Sequence, residues 1–212
     1  MIAAVPVRRK VMVDYLRSSG IRDERVLAAF AAVPRELFVP PQHAHLAYED
    51  HPLEIGEGQT ISQPSVVARM TELAEVGPRD RVLEIGAGSG YQTAILARLA
   101  RFVFALERLP GLAEGARARL AQLGCGNVSV QVMDGTVGWR AQAPFEAIIV
   151  SAAAPALPRA LVEQLAEGGR LVIPIGELRR QELVRVVRRG DAIEESRHGG
   201  ATFVPLVGRE GY

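Results

Sequence analysis

Apolar residues along the chain fall into two kinds of run. Short runs of successive apolar neighbours recur at 81–85, 101–106, 128–133, 145–150 and 171–175, and they read as strands covered on both faces. Other runs repeat at helical spacing, over 5–19, 23–33, 65–76, 91–99 and 157–166. Gly20 ends the first of these helices, and Asp23 is placed to cap the second. In the third, Val67, Met70, Leu73 and Ala74 share the core-facing side, Pro64 suits the first turn, and Ser62 or Gln63 stands where a cap belongs. Local chemistry alone makes Ser62 that cap. Two further runs, 183–187 and 202–207, read as strands, with 176–181 and 190–200 as exposed turns. The stretch 34–58, with Phe38, Val39, Pro40, Pro41, Tyr48 and Pro52, reads as an irregular apolar connection long enough to line a cleft. This is the pattern of an α/β sheet with two helices packed on it as a cap.

Composition narrows the class. The 212 residues, 48% of them hydrophobic, suffice for one α/β domain with a sizeable core. A formal net charge of +1 gives no support to broad nucleic-acid binding or membrane-surface attachment. Cys125 is the one cysteine, so the chain has no internal disulfide and no cysteine-built metal cluster, which fits a reducing compartment. Arg8, Arg9 and Lys10 are followed by Asp14, Arg17 and Arg22 instead of the apolar stretch of a signal peptide, and no run reaches membrane-spanning length. The expectation is a cytoplasmic monomer without a metal, whose partner is neither nucleic acid nor membrane.

The chemistry centres on 81–91, where a buried strand stops at Gly86, Gly88 and Gly90 and a helix begins at Tyr91. Glycines there let the backbone approach a ligand, beside the carboxyl end of a strand where open α/β sheets bind nucleotide-like molecules. The spacing is Glu-x-Gly-x-Gly-x-Gly, with Glu84 just ahead of the bend, and differs from the dinucleotide fingerprint. A carboxylate there repels phosphate and suits a cation. S-adenosylmethionine carries an ammonium and a sulfonium and no phosphate. Glu107 ends the next strand, seventeen residues after Gly90, where a ribose-binding acid belongs. Asp134 ends the third, placed to accept from an adenine amino group, with Gly135 leaving room for the ring.

Gln59-Thr60-Ile61-Ser62-Gln63-Pro64, the run from Val82 through the glycines to Gln92, and Asp134-Gly135 together resemble the protein-L-isoaspartate O-methyltransferases of bacterial type. So do Pro34-Arg35-Glu36-Leu37-Phe38-Val39, Ala152-Ala153-Ala154-Pro155 and Phe203-Val204-Pro205-Leu206, which spread the resemblance over nearly the whole chain. It implies a doubly wound, mostly parallel sheet with helices on both faces, an N-terminal helical cap and C-terminal antiparallel strands. The expected division is a cap and connection over 1–58, a cofactor-binding core over 59–176 and C-terminal strands over 177–212, all in one domain. By position, the resemblance makes Ser62 the active-site serine. It gives Gln59, Thr60, Ile61, Glu84, Gly86, Gly88, Ser89, Glu107, Asp134 and Gly135 to S-adenosylmethionine, and Ser62, Ala153, Val204 and Pro205 to the substrate. Met133 and Glu146 depart from common family residues, and Val67 stands where animal members carry histidine.

The implied reaction methylates the free α-carboxyl of L-isoaspartyl residues in damaged proteins and peptides. The ester then collapses through succinimide toward normal aspartate. The acceptor is already ionised near pH 7, so the site must supply geometry and needs no strong base. Ser62 is expected to orient the carboxylate by a hydrogen bond; no histidine is placed to activate it as a nucleophile. Ala87 stands where a nucleophile elbow around Ser89 needs glycine. The competing readings are a related methyltransferase with a small-molecule or RNA acceptor, and an adaptor that has lost turnover. A nicotinamide oxidoreductase fails on glycine spacing.

Overall fold

Two helices open the computed structural model, which describes residues 4–212. Helix α1 (Val5–Ser18) buries Met12, Val13 and Leu16, and α2 (Glu24–Ala32) is capped by Asp23, whose carboxylate accepts from Arg25 N at 2.8 Å. After two short 3-10 turns comes an antiparallel hairpin, β1 (Leu53–Gly56) and β2 (Gln59–Ile61), then α3 (Pro64–Leu73). The core continues with β3 (Arg81–Ile85), α4 (Tyr91–Ala97), β4 (Phe102–Glu107), α5 (Pro110–Gln122), β5 (Val128–Val132) and β6 (Phe145–Val150). Helix α6 (Arg159–Glu163) leads into β7 (Leu165–Glu177), β8 (Arg180–Arg189) and β9 (Ala192–Ala201).

The seven-stranded sheet has the order β5-β4-β3-β6-β7-β8-β9, parallel through β7 and antiparallel thereafter. Alternation along β3 explains its two-sided burial. Val82 belongs to the layer beneath α2, α3, α4 and α5, while Leu83 and Ile85 belong to the opposite layer with Phe104, Ile148 and Leu161 of α6. The chain lays β4 and β5 to one side of β3, then crosses to place β6 on the other. That reversal opens a crevice at the carboxyl ends of β3 and β6. Among the described residues no helix is long and apolar enough to cross a membrane.

Four departures from the sequence reading have local causes. The irregular connection contains β1, and Gln59, Thr60 and Ile61 form its partner strand. Residues 190–200 form most of β9, a strand exposed along nearly its whole length at the sheet edge, where no apolar alternation is required. Residues 202–207 make a single bridge, Ala153 with Pro205, instead of a strand; Pro205 has no N–H to extend a ladder. Finally, α3 starts at Pro64 after Gln63 and carries no cap from its own N-cap side chain. Asp50 does that work from the connection, its Oδ1 accepting from Ser65 N and its Oδ2 from Ser65 Oγ, both at 2.8 Å. Ser62 is therefore not a helix cap.

Candidate active site

The bend after β3 is built from backbone. Gly86, Gly88 and Gly90 have φ of 82°, 53° and 90°, in the left-handed region that favours glycine. Gly86 N and Ala87 N both donate to Leu106 O, at 2.9 and 3.1 Å, and Ser151 N donates to Ile85 O at 2.8 Å. The bend is thus tied to β4 on one side and to the end of β6 on the other. Gly88 N and Leu109 N donate to the two oxygens of Glu107, at 2.8 and 2.9 Å. This fixes the carboxylate beside the bend, with further lone pairs on each oxygen available to a diol.

Glu84 is the anomaly. It is fully buried, and neither carboxylate oxygen has a hydrogen-bond partner among the described residues. Burial pushes its carboxyl up to about 8, against the neighbouring Thr93 hydroxyl and helped by the charge of Glu107. An unpaired buried carboxyl costs free energy and needs a reason. Glu84 lines a small cavity with Thr60, Ile61, Ser62, Gly88 and Ser89, so a ligand ammonium entering there would supply the missing partner. A second cavity on the other side of the bend is lined by Gln59, Thr60, Gly86, Gly88, Glu107 and Gly135. Together the two accommodate the chemistry of S-adenosylmethionine: a cationic end toward Glu84 and a ribose toward Glu107.

Ser62 is half-buried and lines both the Glu84 cavity and a larger cleft of about 460 Å³. Its carbonyl oxygen accepts from Arg35 Nη2 at 2.8 Å, while its hydroxyl has no partner among the described residues. Arg35 is fully buried, donates also to Ala47 O at 2.8 Å, and stacks 4.7 Å from the centre of the Tyr91 ring. One strand, one buried arginine and one capping aspartate therefore hold the Thr60 to Gln63 segment between the cavity and the cleft.

Two residues of the sequence reading also hold neighbouring backbone in place. Asp134 does not line either cavity at the bend. Its Oδ1 accepts from Thr136 N and Oγ1, at 2.9 and 2.7 Å, and its Oδ2 accepts from Arg209 N at 3.0 Å, so it fastens the C-terminal turn. Ala153 is fully buried; its N–H donates to Val204 O at 2.8 Å and its carbonyl accepts from Leu206 N at 2.7 Å. It positions Val204, which lines the cleft, and Pro205, which lines the Glu107 side of the bend. Gly135 does border the cavity, but a side chain there would first strike Ile85. Ser151, which the sequence reading assigns to neither donor nor substrate, lines both cavities and the cleft. The signal was its place at the end of β6, next to β3 across the switch point.

A reversal-point crevice, a glycine bend behind an orphaned acid and a second acid at the end of β4 define an S-adenosylmethionine-dependent methyltransferase of the doubly wound class. The family model for protein-L-isoaspartate(D-aspartate) O-methyltransferase matches residues 7–211. The chain belongs to that family. It is 53% identical to the protein-L-isoaspartate O-methyltransferase of Methanoculleus marisnigri over 205 residues, covering 96% of this chain and 93% of the relative. It is 54% identical to protein-L-isoaspartate O-methyltransferase 2 of Pelobacter propionicus over 208 residues, covering 97% and 92%. Its fold matches that of a Plasmodium falciparum protein of the same description, solved with S-adenosyl-L-homocysteine, with a TM-score of 0.83 and 29% identity over 94% of this chain and 98% of the other.

Proposed function

We propose that this chain repairs damaged proteins by transferring a methyl group from S-adenosylmethionine to the free α-carboxyl of L-isoaspartyl residues, with Ser62 orienting the acceptor. The observation that carries the reading is the position of Ser62, which borders both the cavity holding the orphaned Glu84 and the open cleft. Within it, Glu84, Glu107 and the backbone at Gly86 and Gly88 bind the donor, while Gln59, Thr60, Ile61, Ser89 and Gly135 enclose it. Val204 forms a wall of the substrate cleft. Asp134 and Ala153 serve by holding the C-terminal segment against the site.

When bound, S-adenosylmethionine supplies a methyl group made electrophilic by its sulfonium. The protein supplies placement and dryness. The Ser62 hydroxyl donates to one oxygen of the acceptor carboxylate and leaves the other free to attack; the carboxylate is ionised near pH 7 and needs no base. Fixing the reacting groups in line is worth up to about 7 to 11 kcal/mol. Thr60 and Ser151 border cavity and cleft alike at the junction, where attraction between carboxylate and donor strengthens as the substrate displaces water. Selectivity comes from the extra main-chain methylene of an isoaspartyl residue and its free α-carboxylate, which a normal peptide bond lacks.

The cleft's open shape suits an extended segment of protein, and the protein acts as a single-domain monomer in the cytoplasm. The test is methylation of two peptides that differ only in having isoaspartyl or aspartyl at one position, followed with radiolabelled donor. Incorporation into the isoaspartyl peptide alone supports the proposal. Equal incorporation, or none, refutes it.

A further inference from the structure

The cleft on the far side of Ser62 has an uneven electrostatic lining. Arg179 and Arg180, at the tip of the β7–β8 hairpin, border it, and no aspartate or glutamate does. The other arginines of β8 are all engaged. Arg185 pairs with Glu75 at 2.8 Å and donates to Leu73 O; Arg188 donates to Leu165 O at 2.7 Å; Arg189 pairs with Glu194 at 3.3 Å. Of the two acids nearest the tip, Glu182 is taken by Arg197, and Glu177, opposite Arg180 across the hairpin, is not among the residues that line the cleft. Among the described residues, Arg179 and Arg180 have neither an ion pair nor a hydrogen-bonded carbonyl.

The hairpin is not loose at this point. Gln181, almost fully buried, donates to Phe203 O at 3.0 Å and accepts from Phe203 N at 2.7 Å, which locks the root of the tip to the segment that forms the opposite wall. Two guanidinium groups are therefore held at the rim of the cleft without an ion pair, the carboxylate opposite Arg180, Glu177, standing outside the cleft's lining. An anionic group arriving in the cleft would meet both. The isoaspartyl carboxylate is the acceptor at Ser62, so the groups left to meet the hairpin are side chains flanking the damaged residue.

We propose that Arg179 and Arg180 make this enzyme prefer isoaspartyl segments that carry an acidic side chain within a few residues of the damage. The inference rests on the proposed repair activity and deepens it by naming a substrate class. Partly exposed pairs of this kind contribute little each, so the preference is modest and weakens with salt. It acts on substrate capture more than on the chemical step.

The test uses the full-length protein and a set of isoaspartyl peptides of one sequence, with Glu, Gln or Lys placed in turn at each of the three positions on either side, plus an aspartyl control. At low ionic strength kcat/KM is expected to be about 3- to 10-fold higher for the best Glu peptide than for its Lys counterpart, mostly through KM, and to converge at high salt. The double substitution Arg179→Glu and Arg180→Glu is expected to invert the order in favour of Lys. Both residues are at the surface, and the circular-dichroism spectrum and melting temperature of the variant report whether it folds as the parent does. Should it misfold, Arg179→Gln with Arg180→Gln replaces it, and the expected result is loss of the Glu-over-Lys ratio. Isoaspartyl peptides methylated at rates indifferent to flanking charge, or a ratio that survives both double substitutions, overturn charge selection and leave the repair activity standing. Failure to distinguish isoaspartyl from aspartyl peptides overturns the activity, and the preference with it.

Discussion

Arg35 Nη2 donates to the carbonyl oxygen of Ser62 at 2.8 Å, joining the N-terminal cap to the residue that faces both donor cavity and substrate cleft. The guanidinium is fully buried and holds Ala47 O through its Nε at the same time. Only a planar fork reaches both carbonyls while stacking on Tyr91. Arg35→Lys should therefore cost about 2–4 kcal/mol of stability and lower turnover. Denaturant titration and steady-state rates check this. Parent-like values for both would mean that the Ser62 backbone is held without the arginine.

Ser62→Ala should separate catalysis from stability. The hydroxyl caps nothing, because Asp50 supplies the bonds to the start of α3. Turnover should fall by roughly 10- to 1000-fold with little change in donor affinity or melting temperature, as for loss of one orienting hydrogen bond. Asp50→Ala should show the converse signature in stability, losing about 1 kcal/mol with the helix cap.

Glu84 predicts a pH dependence with a definite sign. Its carboxyl, lifted by burial to about 8 from its ordinary 4.5, is protonated in the free protein at neutral pH. The folded chain thus binds a proton that the unfolded chain has released, so stability of the ligand-free protein should fall as pH rises from about 4.5 to 8. A donor ammonium favours the ionised form, so donor binding should release a proton and tighten as pH rises toward 8. Calorimetry in buffers of different ionisation enthalpy measures that release. Glu84→Gln should abolish this component of it; an unchanged release would assign the proton elsewhere.

Gly90 marks how tightly the bend is built. It sits at φ 90°, and a side chain there would approach Ala116 Cβ of α5 to 3.1 Å. Gly90→Ala should cost about 1–3 kcal/mol, a fall of roughly 3–8 °C in melting temperature for a domain of this size, and weaken donor binding. A thermal melt with and without S-adenosyl-L-homocysteine reads both effects.

What the sequence made legible follows from where the physics is local. β3 announces itself because Val82, Leu83 and Ile85 must be apolar on both faces, and the bend because Gly86, Gly88 and Gly90 occupy backbone conformations other residues avoid. Relationships across long sequence separation were not legible. Asp134 reads as an adenine acceptor, and nothing near it in sequence reveals that it also holds Arg209 N, seventy-five residues on. Arg35 enters the sequence reading only as part of a family resemblance, since nothing near it reveals that Ser62 O and the Tyr91 ring will enclose it. Helix α5 has no counterpart in the sequence reading, because Gly111, Gly115 and its many alanines blur the apolar stripe that would mark it. The edge strand β9 lacks the alternation that a half-buried strand must show.

The most direct measurement is a crystal structure of the protein with S-adenosyl-L-homocysteine and an isoaspartyl peptide. The account predicts the amino group of the bound product against Glu84, its ribose on Glu107, and the Ser62 hydroxyl within about 3.2 Å of an oxygen of the peptide α-carboxylate. A ligand bound away from the glycine bend, or a Ser62 hydroxyl turned from the carboxylate, would contradict it.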